Sequence, residues 1–341
     1  VGVQDSRARS VWGAARVMGG DWRAGRRLLR LAGADALARN RIDLLWTATP
    51  VILGVAVLGA HVDLIATALA LAAVTLAARR PWAAGVVLGA AVSSKVTYGI
   101  VGFAILWSWR SLARKPLVRN VTALAVSSLG VFASLHLWAG PHVFDQLLKS
   151  GKGVSLATAL RPVVNLLSAV IPLDAARTVV SVVSVAVFIM LTAALWRLAR
   201  AHPIAPQAAI AKETSDDEQT RSDMRAGQTQ SAMTATFVLA TAYALAAPYA
   251  LPWYSVLSWA TLPVLLATTL DGILLVQLTV MAMAYVPGRV VAMSPDVDSL
   301  TLRFRQVGGQ RHACARRLCT AGLGARGVPW PGSRHRERRL L

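Results

Sequence analysis

The sequence predicts an all-α fold, a polytopic transmembrane helical bundle of GT-C-like type with a disordered basic tail at its C-terminus. Of the 341 residues, 55% are hydrophobic and only 15% are charged, a composition too apolar for ordinary soluble domains. The apolar residues form long blocks, and the charged residues gather between the blocks and at both ends. These observations disfavour a water-soluble enzyme.

Basic residues greatly outnumber acidic ones, with 36 Lys and Arg against 16 Asp and Glu. Such an excess is also typical of nucleic-acid-binding proteins, which present it on a folded basic face. Here the charges flank segments that water does not accommodate, so we predict no nucleic-acid partner. The expected location is a bacterial plasma membrane, crossed several times.

A membrane-crossing helix needs about 20 apolar residues to cross a hydrocarbon core of about 30 Å. Seven blocks approach that length and are predicted as spans: 44–60, 62–78, 118–138, 178–198, 233–251, 253–270 and 272–286. The first two are separated by the polar turn that contains His61 and Asp63, which favours two antiparallel spans.

The block 83–109 has basic residues on both sides and Lys95 near its middle. Arg79 and Arg80 precede it, and Arg110 opens the basic stretch that follows it. Because basic flanks favour the cytoplasm, a single span would violate the positive-inside bias. We therefore expect a bent hairpin, with two short helices meeting at Lys95 close to the outer face.

This hairpin sets the predicted organisation of the chain. Residues 1–43 form a basic cytoplasmic flank, which either is unstructured or lies on anionic lipid as an amphipathic helix. The remaining predicted regions are a transmembrane core, 44–199, with an outer loop at 140–161; a flexible cytoplasmic linker, 200–232; C-terminal transmembrane helices, 233–287; and a disordered basic tail, 288–341. The tail from about residue 303 has the composition of a shifted reading frame, and it holds both cysteines, Cys314 and Cys319.

The turn with His61 and Asp63 is the first candidate site. Ionisable groups at membrane depth are costly and usually line a cavity or a pathway. The alternative is that Asp63 only stabilises the N-terminus of the following helix, where a negative charge is favoured.

Lys95 is the second candidate, with Ser94 and Tyr98 among the hydroxyl groups beside it. An ammonium group with neighbouring hydroxyls suits a phosphate. A lysine near the end of a short helix also reaches water by snorkelling, which is the alternative explanation.

The segment from Pro248 to Tyr254 is the third candidate, because two prolines interrupt the apolar block and Trp253 and Tyr254 follow them. Aromatic residues commonly mark a membrane interface, but their faces also stack on sugars. No cofactor is predicted, and no residue pattern has the spacing of a metal site, although a divalent metal remains an open alternative. Phosphate-binding loops, dinucleotide fingerprints and nucleophile elbows do not occur.

Taken together, the runs 45–50, 59–63 and 84–89, followed by Lys95 and then 251–254, resemble the GT-C membrane glycosyltransferases. The resemblance extends over residues 40–290 and is closest to actinobacterial polyprenol-phosphate-mannose-dependent mannosyltransferases. It implies transfer of a sugar, expected to be mannose, from a polyprenyl-phosphate donor to an extracytoplasmic glycan or glycolipid of the cell envelope.

The resemblance also implies roles for individual residues. Lys95, with Ser94 and Tyr98, would contact the donor phosphate, whereas His61, Trp253 and Tyr254 would line the sugar pocket. These enzymes usually take their base from an acidic first outer loop, which would lie before Val1. Asp63 is the remaining candidate for the catalytic base, and an incomplete or inactive copy stays an alternative. Two further classes fit the same features, namely a transporter or flippase and a non-catalytic membrane protein.

Overall fold

The computed structural model describes residues 40–49, 52–53, 61–140, 160–201, 216–264 and 269–285, together with positions 23, 154, 155 and 158. Within these ranges the chain is mostly helical and contains no strand. The all-α prediction is therefore confirmed for the described part of the chain. The predicted tail 288–341 and most of the flank 1–43 lie outside it.

The predicted span 44–60 is not a regular helix where it is described. A short π-helical turn covers Asp43–Thr47, and Thr49 lies outside any helix. Thr49 precedes Pro50, whose ring disfavours helical backbone at the residue before it. The hydroxyl of Thr49 donates to the carbonyl oxygens of Leu44 and Leu45, which satisfies acceptors at the end of the turn.

Three helices follow one another in an antiparallel arrangement. They are α1 (Asp63–Ala77), α2 (Pro81–Ser94) and α3 (Gly99–Ser108). Pro81 opens α2, where its fixed φ and missing N–H are compatible with a first helical position. A 3₁₀ turn, Val96–Tyr98, joins α2 to α3.

The long helix α4 (Arg114–Ala139) packs against α2. The contact depends on Gly85 and Gly89, which lie one helical turn apart on α2. A Cβ atom at Gly85 would collide with Ser127 and the backbone of Leu124, and one at Gly89 would lie 2.5 Å from the carbonyl oxygen of Ser128. Small residues permit this close approach of two helices.

After α4, the described chain continues with α5 (Arg161–Leu167), α6 (Leu173–Ala201) and α7 (Asp216–Ala246). Residues 216–231, the C-terminal half of the predicted flexible linker, are therefore helical and continuous with the predicted span 233–251. Because α7 is anchored by buried residues beyond 231, each further upstream residue extends an existing helix, which is far less costly than starting one.

The predicted span 253–270 is not one helix. Its described part consists of the 3₁₀ turn Pro252–Ser255, the short helix α8 (Val256–Thr261) and a second 3₁₀ turn, Leu262–Val264. Pro263 has no backbone N–H, and its ring clashes with the carbonyl of a preceding helical turn, so α8 ends before it. The last helix described, α9, covers Thr269–Tyr285.

The helices run between two opposite ends of the bundle. The turns at 61–63, 95–98 and 247–254 meet at one end, which we call the site end. At the opposite one, which we call the basic end, Arg110 contacts Ser231, and Trp107 contacts Trp196. The helices α1 to α4 therefore alternate in direction between the two ends.

Two helices, Arg114–Ala139 and Leu173–Arg200, are long and apolar enough to cross a membrane. The shorter apolar helices, of 10–17 residues, include α1 and α2. The buried core is built where α1, α2, α3, α7 and α8 converge. Its largest fully buried side chains include Trp46, Trp109, Trp259 and Phe237.

Candidate functional site

The site begins at the break between α2 and α3. Lys95 has extended backbone, with φ −162° and ψ 114°, so the helix stops at Ser94. A Cβ atom on Gly102 of α3 would lie 3.4 Å from Leu88 of α2, and these two residues are equally distant in sequence from Lys95. The predicted bend of the block 83–109 at Lys95 is thus present, whereas its place at an outer membrane face stays a prediction.

Asp63 receives the side chain of Lys95. It is the first residue of α1, and Lys95 Nζ donates to Asp63 Oδ1 to form an ion pair. The Asp63 side chain is 4% exposed and that of Lys95 is 15% exposed, so both charges lie largely away from solvent. Removal of either partner would leave the other charge buried without compensation, which strongly destabilises a folded protein.

The 3₁₀ turn Pro252–Ser255, which we call the Pro-Trp-Tyr turn, covers this ion pair with aromatic rings. Lys95 Nζ lies 3.4 Å from the ring centroid of Tyr254, in a cation–π contact. The neighbouring Trp253 stacks on His61, with the ring centroids 3.7 Å apart and the planes 18° from parallel. These five residues were predicted to share one site, and the structure brings them together.

Two further tyrosines extend the aromatic cluster: Tyr249 lies within the third candidate segment, whereas Tyr243 was not among the predicted site residues. The centroids of Tyr243 and Tyr249 lie 6.4 Å and 6.2 Å from that of Tyr254. Tyr243 belongs to the last turns of α7, and Tyr249 follows Pro248. Both tyrosines lie close to the Pro-Trp-Tyr turn in the sequence, which could have indicated them as site residues. The sequence does not show, however, that Tyr243 lies on the face of α7 that points to the site.

Tyr98 and Ser94, predicted as phosphate contacts, are engaged elsewhere in this arrangement. The buried Tyr98 hydroxyl donates to the Asp63 carbonyl oxygen at 3.0 Å and lies 2.7 Å from Thr67 Oγ1. It therefore holds the 3₁₀ turn against α1. The exposed Ser94 hydroxyl donates to the carbonyl oxygen of Ala90 within its own helix. Their contact with a phosphate stays a prediction.

A narrow cleft opens beside the ion pair. Its lining is formed by Lys95, Thr97, Tyr98, Ile100, Ala240, Tyr243, Tyr254 and Leu257. The free space is about that of a single water molecule. A sugar phosphate would therefore enter only if the Pro-Trp-Tyr turn moved away from the 3₁₀ turn Val96–Tyr98.

The loop that precedes α5 contacts the same end of the bundle. Ser155 N–H donates to the Pro248 carbonyl oxygen at 2.9 Å, and Thr158 Oγ1 donates to that of Ala247 at 3.3 Å. These contacts place the end of the predicted outer loop 140–161 beside the Pro-Trp-Tyr turn. The rest of that loop, with His142 and Asp145, lies outside the described residues.

In the described part of the chain, no three His, Cys, Asp or Glu side chains come close enough together to hold a metal ion. Cys314 and Cys319 lie outside that part. The Lys95 ammonium supplies a positive charge at the site, which can contact an anion. Asp63 supplies a carboxylate that accepts hydrogen bonds or a proton.

No protein-family model matches this chain, and searches of curated proteins and of solved structures found no match.

Proposed function

We propose that the chain is a multi-pass bacterial membrane protein that transfers a sugar, mannose by resemblance, from a polyprenyl-phosphate donor to an acceptor hydroxyl outside the cytoplasm. The observation that carries the proposal is the convergence of Lys95 and Asp63 with the aromatic rings of His61, Trp253 and Tyr254 at one end of the bundle.

Insertion in a membrane is supported by the exposure of apolar side chains. Only 6% of the most apolar window of Arg114–Ala139 and 17% of that of Leu173–Arg200 are buried inside the protein. Leu137 and Trp138 near the end of α4 are 83% and 87% exposed. Contiguous apolar surface of this kind requires a lipid or protein partner.

The two ends of the bundle differ in charge, which supports an orientation. Arg79, Arg80 and the 110–119 segment bring exposed basic residues to the basic end. The positive-inside rule assigns that end to the cytoplasm. The site end then faces outward, where a lipid-linked sugar and a glycan acceptor would meet.

In the proposed reaction, the donor phosphate replaces Asp63 as the anionic partner of Lys95. The acceptor oxygen attacks the anomeric carbon, the bond between that carbon and the phosphate oxygen breaks, and the phosphate leaves with its lipid. Lys95 stabilises the charge that grows on the leaving phosphate. Asp63, released from the ion pair, accepts the proton of the acceptor hydroxyl.

The aromatic residues would hold the sugar in line for this displacement. The Trp253–His61 stack presents one aromatic wall, and Tyr254 lies directly against Lys95. Tyr98 would position Asp63 through the hydrogen bond to its carbonyl oxygen. The narrowness of the cleft implies that donor binding displaces the Pro-Trp-Tyr turn.

The test is sugar transfer from polyprenyl-phosphate-mannose by the purified full chain in proteoliposomes. Lys95→Ala should lower turnover by about 10²–10³-fold, the usual cost of removing one preorganised charge-stabilising donor. Lys95→Gln, which still donates a hydrogen bond to Asp63, should lose activity to a similar extent while keeping the fold. The matched control is Lys115→Ala, which removes an exposed lysine at the basic end.

Equal turnover by wild type and Lys95→Gln would refute this assignment. A wild-type chain that inserts in the membrane but transfers no sugar would refute the enzymatic proposal itself. Donor analogues that carry glucose or galactose instead of mannose then determine the sugar specificity.

A transporter or flippase is the second candidate, favoured by the ion pair at a helix break. Interrupted helices with charged residues are typical of substrate sites in transporters. Movement of labelled lipid-linked sugar across proteoliposomes without any acceptor, abolished in Lys95→Gln, would support this candidate over sugar transfer.

A further inference from the structure

A second cluster of aromatic and cationic residues lies at the basic end, far from the Lys95 site. Trp107 of α3 and Trp196 of α6 meet edge to face, with ring centroids 5.3 Å apart and planes at 90°. The guanidinium of Arg110 lies 4.7 Å from the Trp107 ring centroid, and that of Arg200 lies 5.5 Å from the Trp196 ring centroid. We call these four residues the Arg–Trp cluster.

Within the part of the chain that the structure describes, no acidic side chain neutralises the charges of the cluster. Arg110 Nη1 donates to the Trp107 carbonyl oxygen at 2.8 Å and approaches Ser231 Oγ at 3.4 Å, and both of these acceptors are uncharged. Among the described residues, no carboxylate forms an ion pair with Arg110 or Arg200. Both side chains are exposed, so each retains donors for an external anion.

The surface next to the cluster is apolar. Phe103, one helical turn before Trp107 on the same face of α3, is 70% exposed, and Trp107 itself is 42% exposed. Residues four apart on a helix are neighbours on its surface. An apolar strip therefore leads from the middle of α3 to the guanidinium of Arg110.

The arrangement of cationic arginines, tryptophan rings and an apolar strip matches the headgroup and acyl chain of a single phospholipid. Tryptophan is enriched at the level of lipid headgroups, and an arginine guanidinium forms paired hydrogen bonds with phosphate. A free phosphate would use the arginines alone and leave the strip exposed. A phospholipid would place its phosphate at the arginines and an acyl chain along Trp107 and Phe103.

We propose that the Arg–Trp cluster binds the headgroup of an anionic phospholipid in the leaflet at the basic end. The inference rests on the membrane insertion proposed above, but it does not depend on sugar transfer. The expected ligand is a phosphatidylglycerol-type lipid, whose phosphate carries a net negative charge that no choline neutralises. Two basic residues near an anionic headgroup then favour it over a zwitterionic one.

The experiment uses the full chain in detergent with phosphatidylglycerol or phosphatidylcholine added, and it counts retained lipid by native mass spectrometry. Wild type should retain phosphatidylglycerol preferentially. Arg110→Gln/Arg200→Gln should bind it roughly thirty-fold more weakly, since each basic residue near a headgroup contributes about 1 kcal/mol. Arg110→Lys/Arg200→Lys keeps the charge but loses the planar fork, so an intermediate loss is expected.

The matched control is Arg79→Gln/Arg80→Gln, which removes two exposed arginines from the same end. It should retain phosphatidylglycerol like the wild type. An equal loss in this control, or unchanged binding in Arg110→Gln/Arg200→Gln, would overturn the proposal. So would inorganic phosphate that displaces the lipid at equal concentration, because the strip beside Trp107 would then contribute nothing.

A parallel measurement of sugar transfer separates this proposal from the preceding one. Loss of lipid binding in Arg110→Gln/Arg200→Gln supports the lipid site whether or not the wild type transfers sugar. A wild-type chain that carbonate washing extracts from membranes would refute membrane insertion, on which both proposals depend.

Discussion

Within the described residues, two ion pairs join distant parts of the chain, and they differ in the cation. Lys95 and Asp63 pair through a single ammonium contact beneath the Tyr254 ring. Arg41 and Asp271, which are 230 positions apart, pair through two guanidinium nitrogens at 2.8 Å and 3.3 Å. Both pairs are mostly buried, and the first lies against the narrow cleft lined by Lys95.

The chemistry of the two cations indicates different roles for the two ion pairs. A guanidinium matches a carboxylate as a planar fork, so the Arg41–Asp271 pair is directional and fastens the segment before Asp43 to α9. A lysine ammonium is a point charge on a flexible stem, and one anion can replace another without a change of geometry. We therefore assign a structural role to the arginine pair and an exchangeable role to the lysine pair.

The largest expected effect is on the stability of Asp63→Ala, because this change leaves the Lys95 ammonium in a largely enclosed place without its carboxylate. Removing one partner of a buried pair costs about 3–5 kcal/mol. Denaturant unfolding in detergent measures the loss. The double variant Lys95→Met/Asp63→Asn should recover most of it, and failure to recover would show that Asp63 stabilises α1 by some different contact.

Asp271→Ala should cost less, about 1.5–3 kcal/mol, the usual contribution of hydrogen bonds to charged groups. The Asp271 side chain is 22% exposed, against 4% for Asp63, so water partly solvates the abandoned Arg41. The same unfolding measurement checks this value. A loss larger than that of Asp63→Ala would reverse the ranking of the two pairs.

Gly85→Ala tests whether the lysine pair depends on the packing of α2. The added methyl group would collide with α4, so α2 must shift, at a cost of about 1–3 kcal/mol. Gly227→Ala on α7 is the matched control, since a Cβ atom there meets nothing within 4 Å. It should stabilise the helix by about 0.5–1 kcal/mol. Destabilisation by Gly227→Ala would contradict the helical assignment of 216–231.

Arg41→Lys should have the smallest effect, about 1 kcal/mol, because the charge remains while one of two hydrogen bonds with Asp271 is lost. Thermal unfolding resolves a change of this size.

Lys95→Arg is the reciprocal exchange, and it should slow sugar transfer, since a forked pair with Asp63 would resist replacement by the donor phosphate. Unchanged transfer in Lys95→Arg would remove the distinction between the two cations.

Some elements could be predicted because their cause is local in the sequence. The bend at Lys95 follows from one cation inside an apolar block with basic residues on both flanks. Further elements were missed because hydropathy averages over a window and ignores single residues. Pro263 divides the predicted span 253–270, and the helix of 216–231 consists mostly of polar residues, so composition alone favours a linker there.

The sequence by itself determined that the chain is helical, where its apolar blocks lie and that its basic residues flank them. These properties depend only on residue type and spacing along the chain. The tertiary structure alone decided that Lys95 pairs with Asp63 under Tyr254, and that the Tyr98 hydroxyl donates to the Asp63 carbonyl oxygen. Such partnerships depend on the rotation and register of packed helices, which are set by side-chain packing between segments far apart in sequence.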